Sequence, residues 1–96
     1  MKRTNKRLTH PPAGRFGTFI RDQIRQRSKY PEDVFTIGKL LNLAGISDTD
    51  PNYRSLAVMI SRYVNGIQQH PSPTSSVVKV VQSAFNLTDA EIRNLL

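Results

Sequence analysis

The stretch Asp50-Pro51-Asn52-Tyr53-Arg54-Ser55-Leu56-Ala57-Val58-Met59-Ile60-Ser61-Arg62-Tyr63-Val64-Asn65-Gly66 governs how the rest of the chain is read. Asp50 places a capping carboxylate before a proline at the first helical position, and Gly66 offers a left-handed stop. A helix over about 51–65 is therefore predicted. At about 100° per residue, Leu56, Ala57, Ile60, Tyr63, Val64 and Ile67 gather on one side. Arg54, Ser55, Val58, Ser61, Arg62 and Asn65 gather on the other, which carries no acid. Arg can bond guanine through two hydrogen bonds, Asn can do the same with adenine, and Ser can reach base edges or phosphate. Valine can touch a thymine methyl. A helix about 10–12 Å across fits a major groove about 12 Å wide. An ordinary wet face is the competing reading, and the missing acids favour groove contact.

Working outward, four further helices are expected. Toward the N-terminus, Phe16, Phe19, Ile20 and Ile24 share a face of a helix that begins at Ala13 or Arg15 and ends near Ser28. Pro31 disfavours helix at Tyr30 before it. Thr36 is the N-cap of a second helix burying Ile37, Leu40, Leu41 and Ala44, and Gly45 ends it. Beyond Gly66, Pro71-Ser72-Pro73 delays the fourth helix, whose apolar set is Val77, Val80, Val81, Ala84 and Phe85. The adjacent pairs Val77-Val78 and Val80-Val81 argue against an alternating strand. Thr88 and Glu91 form a capping box, with Leu87 stapled onto Ile92, for a last helix carrying Ile92, Leu95 and Leu96. The expected fold class is all-α, a compact five-helix bundle with a flexible basic N-terminal arm. Residues 1–14 form the arm and 15–96 the helical domain.

The 96 residues suit one domain, and its net charge of +7 is unevenly spread. Residues 1–29 hold Lys2, Arg3, Lys6, Arg7, Arg15, Arg21, Arg25, Arg27 and Lys29 against Asp22 alone, while acids slightly outnumber bases from residue 30 onward. Such a block attracts a polyanion and can release counterions from it, although a solubilising tail has the same composition. No cysteine is present, which excludes disulfides and thiolate metal sites. No apolar run approaches a membrane span, and no secretory signal is expected. An organelle transit peptide shares the Arg-rich, acid-poor start, but the same segment reads as a structured helix. A cytoplasmic, nucleoid-associated protein is expected.

Catalysis has little to stand on. His10 and His70 sit beside prolines without a carboxylate or second histidine at ligand spacing, and neither a phosphate-binding loop nor a nucleophile elbow occurs. Asp48 and Asp50 belong to a helix-capping turn. No enzyme activity, cofactor, metal or small-molecule substrate is expected.

Several segments resemble a known family. Thr36-Ile37-Gly38-Lys39-Leu40-Leu41-Asn42-Leu43-Ala44-Gly45-Ile46-Ser47 looks like the second helix and following turn of phage-repressor (Xre-type, lambda-repressor-like) helix-turn-helix regulators. Ile60-Ser61-Arg62-Tyr63-Val64-Asn65-Gly66 looks like the end of their recognition helix. His70-Pro71-Ser72-Pro73 through Val81, Ala84, Phe85, Asn86, Leu87 and Thr88 is similar to the fourth helix and its exit. The resemblance covers about residues 16–96 and is strongest over 60–88. It departs in two places: Asp48-Thr49-Asp50-Pro51-Asn52 lengthens the turn, and Val64 stands where the family commonly has an acid.

The resemblance implies a sequence-specific double-stranded DNA-binding transcriptional regulator, a repressor, from a prokaryote, phage or plasmid. It places Met59 and Arg62 among base contacts and Thr36 near the phosphate-binding start of helix two. Extending the helix backward adds Asn52, Arg54 and Ser55, with Val58 and Ser61 on the same stripe. An arm of the kind found in related repressors would bring Lys2, Arg3, Lys6 and Arg7 to backbone or minor groove. A homodimer on a pseudo-palindrome is the expected assembly, with the apolar end of the last helix a pairing edge or simply core. Two other classes compete. One is a helical protein-interaction module of the antitoxin or adaptor type, and the other a basic RNA-binding module, against which the scarcity of exposed aromatics argues.

Overall fold

Phe16 and Ile20 are one helical turn apart, and both are completely buried, which sets the phase of α1 (Arg15–Arg27). The computed structural model describes residues 12–29 and 34–96. Among them the chain is all-helical. After α1 come α2 (Ile37–Leu43), α3 (Tyr53–Val64), α4 (Ser76–Ala84) and α5 (Asp89–Arg93). Tyr30 and Pro31, expected to close α1, lie outside the described residues. Ser28 itself caps α1: its N–H and hydroxyl both donate to Ile24 O, and its Oγ accepts from Phe35 N–H at 2.9 Å. The chain on either side of 30–33 is thereby clipped together.

Three helices end by the same device. Gly45 (φ 84°) follows α2, Gly66 (φ 76°) follows α3 and Asn86 (φ 53°) follows α4. Each stands in the left-handed region, and the residue after it donates back into the helix: Ile46 N to Leu41 O, Ile67 N to Arg62 O, Leu87 N to Gln82 O. These Schellman closures satisfy carbonyls that the helix end would otherwise orphan. Asparagine tolerates the left-handed region better than other side chains, so Asn86 serves where glycine is the usual choice. At the other ends, Thr36 Oγ1 accepts from Lys39 N–H and Ser75 Oγ from Val77 N–H. The Thr88–Glu91 capping box has both of its bonds, at 2.8 and 3.1 Å.

Helix α3 is the centre of the packing, touching α1, α2 and α4, while α2 lies on α4 and α5 on α4. The core joins Phe16 and Ile20 to Leu40, Leu41, Leu56, Ile60, Tyr63, Val77, Val78, Val80, Val81 and Ile92. Fully burying a side chain of this kind contributes about 1.5–3 kcal/mol. Phe16 meets Tyr63 edge to face with ring centroids 5.2 Å apart, joining α1 to α3. Their backbones are close as well. A Cβ on Gly17 would stand on the Tyr63 carbonyl oxygen, so only glycine permits this approach.

Three sequence expectations need correction. Ile67, assigned to the buried side of the third helix, is 57 % exposed. The left-handed Gly66 breaks the helical phase immediately before it. The helix itself begins at Tyr53 rather than Pro51, because Pro51 and Asn52 belong to the preceding turn. The N-cap is Asn52, and no side chain caps that end. Asp50 instead closes the turn before it, its carboxylate accepting from Asn52 N–H at 2.8 Å and its carbonyl from Tyr53 N–H at 3.0 Å. Leu95 and Leu96 follow α5 instead of lying in it, half-buried and packed against the core.

Candidate nucleic-acid interface

With α1, α2 and α4 covering its other sides, α3 turns one face outward. Arg54, Ser55 and Arg62 are exposed there, and Val58 between them is 45 % exposed. Ser61 is half-buried and its hydroxyl accepts from Asn65 Nδ2 at 3.2 Å. Arg62 sits in the last turn, where its backbone carbonyl takes the N–H groups of Ile67 and Gln68. Its backbone is thus fixed while its side chain stands exposed. Met59 is half-buried against the core, reaching the surface beside the polar face rather than standing on it. Asn52 precedes α3 with its side-chain amide making no capping bond. Thr36 is exposed at the start of α2, one lone pair engaged by Lys39 N–H at 3.2 Å. Lys2, Arg3, Lys6 and Arg7 lie outside the described residues.

The inserted turn gives this face two unequal ends. Asp48 and Asp50 line a hollow of about 440 Å³ together with Arg54 and Val58. Two carboxylates there would repel a phosphate backbone, so the N-terminal end of α3 is the poorer place for one. On another side of the helix, Asn52, Ser55, Leu56 and Met59 share a hollow of about 260 Å³ with Ser76, the first residue of α4. Between Ser55 and Arg62 the face is free of acids.

Sequence reasoning missed several residues that shape the site. Tyr53 opens α3 and leans over α2 so closely that a Cβ on Gly38 would be 2.5 Å from its hydroxyl. That approach sets how α3 leaves α2. Three exposed bases of the N-terminal block also have structural partners. Arg21 donates to Val64 O at the end of α3, and Arg15 donates to Leu96 O at 3.4 Å. The Arg27 guanidinium stands 5.0 Å from the Phe85 ring centroid and 5.7 Å from that of Phe35. Their partners are remote in sequence, which is why charge counting could not find them.

Among the described residues no cluster of His, Cys, Asp and Glu is placed to hold a metal ion, and no helix is long and apolar enough to cross a membrane. No protein-family model, curated protein or solved structure matches the chain.

Proposed function

We propose that the chain is a sequence-specific double-stranded DNA-binding regulator of the helix-turn-helix, phage-repressor type, in which α2 and α3 form the motif and α3 reads the major groove. The observation that carries this is the outward face of α3 from Ser55 to Arg62, acid-free and presenting Ser55, Val58 and Arg62 on a helix held from its other sides. Groove reading needs donors on a rigid helix, because base contacts discriminate only when their geometry is fixed. The resemblance of residues 60–88 to repressor sequences supports the same reading, and a homodimer on an inverted site extends it. Because Asp48 and Asp50 disfavour phosphate near Arg54, the C-terminal half of the face, Val58 to Arg62, carries most of the contact.

Val58→Glu tests this directly. Glutamate is a good helix former, and Val58 is already 45 % exposed, so the melting temperature should change little. Duplex affinity should fall at least about tenfold, since a like charge now faces the backbone and grooves. Unchanged duplex binding by a folded Val58→Glu protein would remove α3 from the interface.

A further inference from the structure

The hollow of about 440 Å³ at the start of α3 is shared by an acid and a base, Asp48 and Arg54, with Tyr53, Ala57 and Val58 among its other lining residues. Both charged side chains are exposed, and neither makes a hydrogen bond or an ion pair among the described residues. Asp50 differs, because its carboxylate is already engaged by Asn52 N–H at 2.8 Å. The backbone on either side of Asp48 is held in place. Asp50 N–H donates to Ser47 O at 3.0 Å, and the Ser47 and Thr49 hydroxyls bond each other at 2.7 Å. Val58 lies one helical turn beyond Arg54, so the hollow belongs to the same face of α3 that is proposed to enter the groove.

We propose that Asp48 and Arg54 together read one C·G base pair, Asp48 accepting from the cytosine amine and Arg54 donating to the guanine. The inference rests on the DNA-binding reading above and names the base pair that this end of α3 selects. In the major groove cytosine presents only a donor, its N4 amine, and guanine only acceptors, N7 and O6. A carboxylate only accepts and a guanidinium only donates. The two side chains therefore match a C·G pair in one orientation, while the reverse orientation sets acceptor against acceptor and donor against donor. An A·T pair falls short as well. Adenine sets its N7 acceptor beside its amine, and thymine offers Arg54 one acceptor where guanine offers two. The negative charge that makes this end a poor seat for a phosphate is also what selects. It opposes binding to every duplex and is offset only where an amine meets it.

The test is a selection from a random duplex pool with the full chain as parent, as Asp48→Ala, as Arg54→Ala and as the double variant. Titration of duplexes that differ only at the assigned base pair follows. Both side chains are exposed and unbonded, so all four proteins should melt within about a few degrees of one another. The parent should fix a C·G pair at one position of its motif. Asp48→Ala should lose preference there by at least about fivefold and keep the rest of the motif. On scrambled duplex it should bind no more weakly than the parent, because a negative charge has been removed. Arg54→Ala should lose preference at the same position, and the double variant should accept any base pair there. Retention of the C·G preference by Asp48→Ala would overturn the assignment, even with tighter binding to scrambled duplex, since a charge that only repels the backbone weakens all sequences alike. Losses at two different positions for the two single variants would overturn it too. A parent that enriches no motif would remove the DNA-binding reading, and this inference with it.

Discussion

Ile60 and Arg62 are two residues apart and face opposite ways. Ile60 is fully buried at the centre of α3, so Ile60→Ala should lower stability by roughly 2–5 kcal/mol, read as a large drop in melting temperature. A melting temperature within about a degree of the parent would mean that the helix phase is wrong, since a change of about 1 kcal/mol moves a domain of this size by several degrees. Arg62→Ala should leave stability nearly unchanged and relax preference at one base position, losing about 1–3 kcal/mol of discrimination. Binding curves on matched and scrambled duplexes distinguish the outcomes. A parallel fall on both makes Arg62 a phosphate anchor instead of a base contact. The phases of Ile60, Arg62 and Val58 are legible in the sequence because helical periodicity is a local property. The partners of Arg21, Arg27 and Gln69 are not, because each lies on another element. Ile67 falls on the wrong side when periodicity is extended past the glycine that ends it.

Helix ends and helix packing decide where the face of α3 points. Gly45, Gly66 and the Thr88–Glu91 box are readable because each is a short motif with its own geometry. Asn86 does the same work as the two glycines without the same signal, since asparagine also suits ordinary loops. The sequence sets the start of α3 two residues early, as Asp50 and Pro51 signal a cap without telling whether the turn between them and Tyr53 is helical. Nothing local announces the close approach of α1 and α3 at Gly17. Gly17→Ala should therefore be far more damaging than an alanine substitution in a helix normally is, at about 3 kcal/mol or more, because the new Cβ meets the Tyr63 carbonyl. Thermal or urea denaturation checks this. A stable Gly17→Ala protein would show that the two helices can separate, and the orientation of α3 would no longer follow from α1. Thr88→Ala should cost about 1 kcal/mol through loss of the cap, without altering DNA binding.

Over the molecule as a whole, charge and fold are divided between different parts of the chain. The core runs from Phe16 to Ile92, whereas Lys2, Arg3, Lys6 and Arg7 precede it. Removing residues 1–11 should leave the fold intact and weaken duplex binding broadly across sequences, with a smaller salt slope; unchanged slope and affinity would make the stretch a solubilising tail. The cut stops before Pro12, whose carbonyl is bound by Gln69. The all-helical class is legible throughout the described chain, because each helix there carries an apolar periodicity or a cap signal of its own. Whether the faces of α2 and α3 meet one groove depends on the nine residues between them, whose local signals mark a helix stop and a turn but not the angle between the helices. The most direct measurement is a selection of purified protein against a random duplex pool. If α3 reads the major groove, a defined motif should be enriched, arranged as an inverted repeat if the protein pairs. Loss of enrichment with Val58→Glu should accompany it. Recovery of unenriched sequence at every salt concentration, from a folded protein, would contradict it.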